Sequence, residues 1–272
     1  MLILAFDTTN EKGGVGIFRD AECLASIPNE GKANRYSVSL FEMVEQALAL
    51  ARLELREIEL YAVANGPGSF TGIRVGLAAA RAWGKAFSRR VRGVSVLLAM
   101  VNKQGLGVWG SGGGETSTQG SPMPEWYFPI LDARRGEFFL GSFRRNSRAG
   151  TLDARGEAEN PSALHLIHAG QTDYEQVDGG WVLKPASLQA FVEERLANGA
   201  SATCLVRAHD RAAIDLCTRL PAPLRWQQVE GPLMDTIADI ARKEEQADRP
   251  CLDVNLDAYY IRRPDAELNW RD

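Results

Sequence analysis

Short apolar runs, each closed by turn residues, open this chain and then give way to stretches with the periodicity of amphipathic helices. The apolar runs predict three strands, at residues 2–6, 13–18 and 23–27. Residues 36–53 place their apolar side chains on one stripe and predict a helix. A buried strand at 60–64, a second helix at 71–87 and a strand at 91–94 follow, so the pattern predicts a mixed sheet with helices on its faces.

A second set of strands and helices follows a stretch of different composition. Residues 105–125 are dense in Gly, Ser, Thr and Pro and predict a mobile surface loop. Strands at 126–131 and 137–144 predict a hairpin through Gly136, and the polar residues 145–180 give no clear pattern. Helices are predicted at 187–197, 211–220 and 233–245, and strands at 203–206 and 224–229. These elements predict an N-terminal lobe, a C-terminal lobe and a closing helix with the C-terminal segment, at residues 1–100, 101–230 and 231–272.

The segment Asn65–Gly76, with the sequence NGPGSFTGIRVG, joins a buried strand to the second helix through a glycine-rich turn. Gly66 and Gly68 permit backbone angles that side chains forbid, and Ser69 or Thr71 can cap the helix. The free amide groups of the first helical turn favour anions. Two interpretations are open: a phosphate site with contacts from Gly66, Gly68 and Ser69, or a tight turn that binds nothing.

Small residues recur every four positions along the second helix and form a narrow ridge. Another element can approach such a ridge closely, and glycines that weaken a helix need a packing reason. The ridge either lies against the protein's own sheet or first helix, or it belongs to an interface with another polypeptide. In the second case the partner surface comprises Phe41, Val44, Leu48, Gly72, Arg74, Gly76, Ala80 and Gly84.

Composition and charge narrow the classes of function. The formal net charge is −4 and the sequence pI is about 5.6, which argues against a protein that grips nucleic acid through its overall field. A basic cluster at the end of the second helix either complements the helix dipole or contacts RNA phosphates; it comprises Arg81, Lys85, Arg89, Arg90 and Arg92. The four cysteines form no CxxC pair, and the N-terminal segment has no basic leader, so we expect a soluble cytoplasmic protein.

Four segments resemble the TsaB (YeaZ) family, and together they cover both lobes. They are ILAFDTT at 3–9, GPGSFTGIRVGLAAARAWGKAF at 66–87, ILDARRGEFF at 130–139 and YYIRR at 259–263. The resemblance implies a two-lobed α/β fold of the actin, Hsp70 and sugar-kinase group. Each lobe of that fold is an RNase H-like mixed sheet with flanking helices.

The resemblance also implies a function in making threonylcarbamoyladenosine in tRNA. The chain is then expected to be a noncatalytic subunit that binds and activates a TsaD-like paralogue as a heterodimer, with a TsaE-like ATPase joining them. Contact with tRNA is expected only indirectly, and the isolated chain is expected to form homodimers. No cofactor is expected for the chain by itself, and ATP or ADP is left open for the complex.

No metal is expected in this chain, because the residues at the positions of the paralogue's metal ligands cannot bind a metal in the same way. The resemblance places the two metal-binding histidines of the paralogue on Val96 and Met100, and neither side chain offers a nitrogen ligand. Two further departures from the family pattern lie in the first helix. Tyr36 stands where a histidine is usual, and Glu42 stands where a proline is common.

Asp7, Thr8 and Thr9 occupy the position of the phosphate-facing hairpin of the wider fold, which supports an alternative function. In that alternative the chain is an ATP-dependent phosphotransferase in which Asp7 orients a metal or acts as the catalytic carboxylate. Asp132 is then the candidate second acid, unless it forms an ion pair with Arg134 or Arg135. A third interpretation, glycoprotease-like hydrolysis, is supported by neither a metal motif nor a Ser, His and Asp arrangement.

Overall fold

The structure, a computed structural model, describes residues 1–29, 36–105, 124–145, 174–197, 199–220 and 224–247. Most of the predicted loop at 105–125 and the YYIRR segment lie outside these residues. The elements, in chain order, are β1 (Leu2–Asp7), β2 (Gly14–Arg19), β3 (Glu22–Pro28), α1 (Tyr36–Ala51), β4 (Leu60–Gly66), α2 (Phe70–Phe87), β5 (Arg90–Ser95), α3 (Val96–Gly105), β6 (Trp126–Arg134), β7 (Glu137–Arg145), β8 (Tyr174–Leu183), α4 (Pro185–Leu196), β9 (Ala202–Arg207), α5 (Arg211–Cys217), β10 (Arg225–Val229) and α6 (Met234–Gln246).

The chain divides into two compact units, one of Met1–Ala99 with Gly231–Asp272 and the other of Met100–Glu230. Each unit contains a five-stranded sheet, with the strand orders β3-β2-β1-β4-β5 and β8-β7-β6-β9-β10. In both sheets the first three strands pair antiparallel, and the last two pair parallel to the first. The predicted fold class, two α/β lobes that each contain a mixed sheet with flanking helices, is confirmed.

The first unit has helices on both faces of its sheet. On one face α1 packs on β2 and β3, and α2 packs on β4 and β5. Their apolar side chains share one buried cluster with the inward side chains of the sheet, such as Leu4, Phe6 and Ile17. On the other face α6 packs against β1, β2, β4 and β5.

Ion pairs connect α6 to the edge strand of this sheet. The guanidinium group of Arg92 is 5% exposed and donates hydrogen bonds of 3.1 and 2.8 Å to Glu245 Oε2. Arg90, on the same strand, donates to the other carboxylate oxygen at 2.8 Å. This charged contact holds the end of α6 against β5.

The second unit buries its core between the sheet and helices α4 and α5. The cluster joins Phe128 and Val206 of the sheet to Leu188 of α4 and Ala213 of α5. The predicted hairpin is confirmed, since β6 and β7 pair antiparallel. Its turn has positive φ at Gly136, where glycine is favoured.

Three features of the fold differ from the sequence prediction. Helix α3 was not predicted; it begins directly after β5, at Val96. Strand β8 begins at Tyr174, inside the stretch that gave no pattern, and β6 continues to Arg134 rather than ending at 131. Within the described residues, no helix is both long and apolar enough to cross a membrane.

Candidate phosphate loop and partner surface

The residues predicted to contact phosphate lie together at one edge of the first sheet. Asp7 ends β1, and Gly66 ends the neighbouring parallel strand β4, so the segments that follow them meet at this edge. Thr8 and Thr9 are buried beside Asp7, and the glycine loop passes over them. The structure therefore brings together both halves of the predicted site.

The Asp7 carboxylate is buried and is satisfied by its own turn. Its Oδ1 accepts hydrogen bonds from the Thr9 amide at 2.9 Å and the Thr9 hydroxyl at 2.6 Å. Its Oδ2 accepts from Asn10 Nδ2 at 3.1 Å. The amide and hydroxyl of Thr9, which would serve a phosphate in this position, are thus engaged by the carboxylate.

The glycine loop packs directly on this turn. Ser69 donates its amide to the Thr9 carbonyl at 2.7 Å, and the Thr8 hydroxyl donates to the Gly72 carbonyl at 2.7 Å. A Cβ at Gly68 would lie 2.6 Å from the Thr9 carbonyl oxygen, which explains the need for glycine there. Ser69 is also the predicted helix cap, since its hydroxyl accepts from the Gly72 amide at 3.3 Å.

These contacts affect whether the turn and the loop can bind the phosphate of the nucleotide that the wider fold implies. The Thr9 amide and hydroxyl and the Ser69 amide, which could otherwise serve a phosphate, are already bonded within the turn and the loop. Among the residues that the structure describes, no group of three or more His, Cys, Asp or Glu side chains could hold a metal ion. Val96 and Met100 are buried one helical turn apart on α3 and present only apolar atoms and one thioether sulfur.

Tyr36 closes the other side of the Asp7 turn. Its side chain is buried at the start of α1, and its hydroxyl donates to the Asn10 carbonyl at 2.8 Å. Burial, together with the charge of Asp7, raises the pKa of Tyr36 well above its ordinary value. The residue that departs from the family pattern therefore serves as a neutral hydrogen-bond donor to this turn.

Asp132, the candidate second acid, is also held by its neighbours. Its Oδ1 accepts from the Arg134 amide at 2.7 Å, and its own amide donates to Asp210 Oδ2 at 2.8 Å. The Arg134 guanidinium group lies 4.0 Å from the other carboxylate oxygen. The ion-pair interpretation of Asp132 is the one that the structure supports.

The glycine ridge of α2 does not face a partner, which corrects the interface prediction. Gly72, Gly76, Ala80 and Gly84 are buried in their own unit. A Cβ at Gly72 would collide with the Thr8 carbonyl, one at Gly76 with the Thr8 hydroxyl, and one at Gly84 with Val91 of β5. These residues permit α2 to lie close to its own sheet, and Val44 is buried there too.

The exposed sides of α1 and α2 carry several apolar side chains, and Leu50, also on α1 and 66% exposed, lies on the side of that helix away from Phe41. Val38 is 65% exposed and Phe41 is 53% exposed, both on α1, and Phe70 begins α2. Phe41 meets Trp83 of α2 edge-to-face, with ring centroids 5.6 Å apart. We call this the α1–α2 surface; it consists of Val38, Phe41, Glu42, Glu45, Leu48, Phe70, Arg74, Ala78, Arg81, Ala82 and Lys85. Of the predicted interface residues, Phe41, Leu48 and Arg74 belong to it.

Comparison with known proteins finds relatives that are similar in sequence and in fold. The family model for TsaD, tRNA N6-adenosine threonylcarbamoyltransferase, matches residues 27–159. The tRNA threonylcarbamoyladenosine biosynthesis protein TsaB of Escherichia coli is 27% identical over 191 residues, which cover 70% of this chain and 74% of that protein. TsaB of Bacillus subtilis is 27% identical over 144 residues, covering 53% of this chain and 56% of the relative. The solved structure of YeaZ from Pseudomonas aeruginosa superposes with a TM-score of 0.59 at 19% identity, covering 91% of this chain and 93% of that chain.

The chain is similar to TsaB (YeaZ) proteins in sequence and in fold. A second Pseudomonas aeruginosa structure, of an uncharacterized protein similar to peptidase YEAZ, has a TM-score of 0.62 at 18% identity and covers 96% of this chain and 99% of its own. At such identities the superposition shows the TsaB fold alone. The resemblance predicted from the sequence motifs is confirmed.

Proposed function

We propose that this chain is the noncatalytic partner subunit that binds and activates a TsaD-like transferase in the threonylcarbamoyladenosine modification of tRNA. Similarity to the TsaB proteins of Escherichia coli and Bacillus subtilis supports the pathway. The observation that supports partner binding is the α1–α2 surface, where Val38 and Phe41 are left more than half exposed. Large apolar side chains that are left exposed close together on a helix are typical of a protein–protein interface.

A noncatalytic role is supported by the state of the polar groups at the first sheet edge. The Asp7 carboxylate accepts three hydrogen bonds from Thr9 and Asn10, so its oxygens already serve the fold. The positions that correspond to the paralogue's metal-binding histidines are the buried Val96 and Met100. The phosphotransferase alternative needs Asp7 to act on a metal or phosphate and is therefore less well supported.

The proposal extends to the rest of the complex. The TsaD-like subunit supplies the transfer chemistry, and a TsaE-like ATPase joins the heterodimer. This chain then reaches tRNA only through its partner, and ATP or ADP binds only when the complex has formed. Homodimers of the isolated chain would use the α1–α2 surface that the partner covers in the complex.

The test is copurification of tagged variants with the TsaD-like protein encoded in the same genome. Val38→Asp places a charge at the most exposed apolar side chain of the α1–α2 surface and is expected to lower recovery of the partner at least tenfold. Val177→Asp is the matched control, because Val177 is also exposed, at 42%, but lies on β8 of the second unit. The threonylcarbamoyladenosine content of tRNA in cells that depend on the variant should fall with partner recovery.

A second variant, on helix α2, tests the same surface independently of Val38→Asp. Ala78→Arg adds bulk to the exposed side of α2, away from the sheet. Circular dichroism and thermal unfolding should show that each variant folds. If Val38→Asp and Ala78→Arg are folded and still recover the partner as well as the unmodified chain, the α1–α2 surface is not the interface.

A further inference from the structure

The two helices of the α1–α2 surface carry opposite charge. Helix α1 contains Glu42 and Glu45 and no Lys or Arg, whereas α2 contains Arg74, Arg81 and Lys85 and no Asp or Glu. All five charged side chains belong to exposed residues. The charge is therefore separated between the two helices rather than mixed within each.

The helical phase of α1 places its charges on the crest and on the side remote from α2. Successive residues turn by about 100° around the helix axis. Phe41, which contacts Trp83, marks the side of α1 that faces α2. From that side Val38 and Glu45 lie next around the axis, on the crest, and Glu42 lies beyond them on the outer edge.

The phase of α2 places its charges on the opposite border. Trp83 marks the side that faces α1, and Gly84, against Val91 of β5, marks the other side. Ala82 therefore lies beside α1, and the charged residues follow in the order Lys85, Arg74, Arg81 toward the outer edge. The α1–α2 surface thus has Phe41 and Ala82 where the two helices meet, an acidic border on α1 that also contains Val38, and a basic border on α2 with Phe70 at its outer edge.

We propose that this order of charges fixes how the TsaD-like partner docks: it must present basic side chains over α1 and acidic side chains over α2. This inference rests on the proposed function and specifies the chemistry of its interface. Complementary borders around an apolar centre select the partner and its orientation, and like charges brought together by a reversed docking would repel.

The test measures the dissociation constant of the heterodimer at 50 and 500 mM NaCl. Lys85→Glu and Glu45→Lys each reverse one border, and each is expected to weaken the complex at least fivefold at the lower salt concentration. At 500 mM NaCl the difference should fall below twofold, because exposed charges are then screened. Lys184→Glu and Glu193→Lys make the same changes at exposed positions of the second unit and should leave the constant unchanged.

The outcomes separate this inference from the proposed function. If both reversals stay within twofold of the unmodified chain at 50 mM NaCl while Val38→Asp still abolishes the complex, the charge order is wrong and the proposed function stands. If Val38→Asp and Ala78→Arg also have no effect, the proposed interface is wrong. A second copy turned about a twofold axis could also pair an acidic with a basic border. Reversals that change only self-association in sedimentation velocity would assign the borders to that homodimer and overturn the inference.

Discussion

The glycines of α2 have no side chain, and this allows the helix to lie closer to its neighbouring elements than other residues would. At Gly72 and Gly76 the helix backbone approaches Thr8, which immediately follows β1. The Thr8 hydroxyl donates to the Gly72 carbonyl in this contact. The close approach joins the start of α2 to the Asp7 turn, so the conformation of the predicted phosphate loop depends on residues of the helix.

Replacing Gly76 by alanine should destabilise the protein, against the usual preference of helices. An added Cβ would collide with the Thr8 hydroxyl and lie 3.2 Å from Val63 Cγ2. Alanine normally stabilises a helix interior relative to glycine by about 1 kcal/mol. We expect instead a loss of about 1–3 kcal/mol in the free energy of unfolding, measured by urea denaturation. Ala82→Val, on the exposed side of the same helix, should change it by less than about 0.5 kcal/mol; a Gly76→Ala variant that is more stable would contradict the packing.

The sequence revealed that α2 makes a close contact but not which element makes it. Small residues every four positions, at Gly72, Gly76, Ala80 and Gly84, specify one face, and both the protein's own sheet and a partner satisfy that pattern. Burial decides between them, because burial depends on where β1, β4 and β5 lie in the fold. The exposure of the Phe41 side chain could not be predicted for a similar reason. Phe41 lies at the edge of the apolar stripe of α1, where periodicity alone does not distinguish buried from exposed positions.

At the scale of secondary structure elements, α6 connects distant parts of the sequence. It follows the second unit along the chain but packs on the sheet of the first. Its apolar face includes Ile237 and Ile240, and its end is fastened to β5 by Glu245. Since Arg92 is almost fully buried, this contact is shielded from solvent to an extent that surface ion pairs are not.

Removing the carboxylate at Glu245 should therefore cost more than removing an exposed partner. Glu245→Gln keeps the size of the side chain but replaces the charged acceptor of the two Arg92 hydrogen bonds, and we expect a loss of about 2–4 kcal/mol in the free energy of unfolding. Arg90→Gln, at a side chain 48% exposed, should cost less than about 1 kcal/mol. Hydrogen exchange should show faster exchange of α6 amides in Glu245→Gln only. Equal effects of both variants would show that burial of Arg92 does not strengthen the contact.

Most elements could be predicted from periodicity, and the exceptions have physical reasons. Helix α3 begins with VLLAMV, all six of which are buried, so no polar side marks it as a helix. It also begins without an intervening turn after β5. Strand β8 contains Asp178 and two glycines, which weaken the strand pattern, and its pairing with β7 determines its conformation.

At the scale of the whole molecule, nucleotide binding by the isolated chain distinguishes the two proposed functions. A site of 10 µM affinity would add about 3–4 kcal/mol of stability at 5 mM ligand. Because the Asp7 turn and the glycine loop bond to each other, we expect 5 mM MgATP or MgADP to leave the thermal midpoint of the isolated chain unchanged within about 1 °C. Differential scanning fluorimetry measures this shift. A rise of several degrees that is lost in Asp7→Ala would favour the phosphotransferase instead.

The location of the candidate phosphate site could be predicted from the sequence. Whether its polar groups are free to bind a ligand could not. Asp7 and the glycine loop follow two apolar runs, and the meeting of parallel strand ends at one edge brings them together. Whether Thr9 donates to a ligand or to Asp7 depends on differences of about 1 Å in the turn. Residue types and spacing carry no information at that resolution.

The matching strand orders of the two sheets have a consequence for the history of the chain. Duplication of one ancestral half would leave this pattern, with Asp7 and Asp132 as descendants of the same aspartate, each near the end of its founding strand. The descendants of the last crossover helix have since diverged in length: α2 has 18 residues and α5 has seven. Under such a duplication, the helix pair that we propose as the docking surface is a feature of the first half, because α5 is too short to extend over the same length.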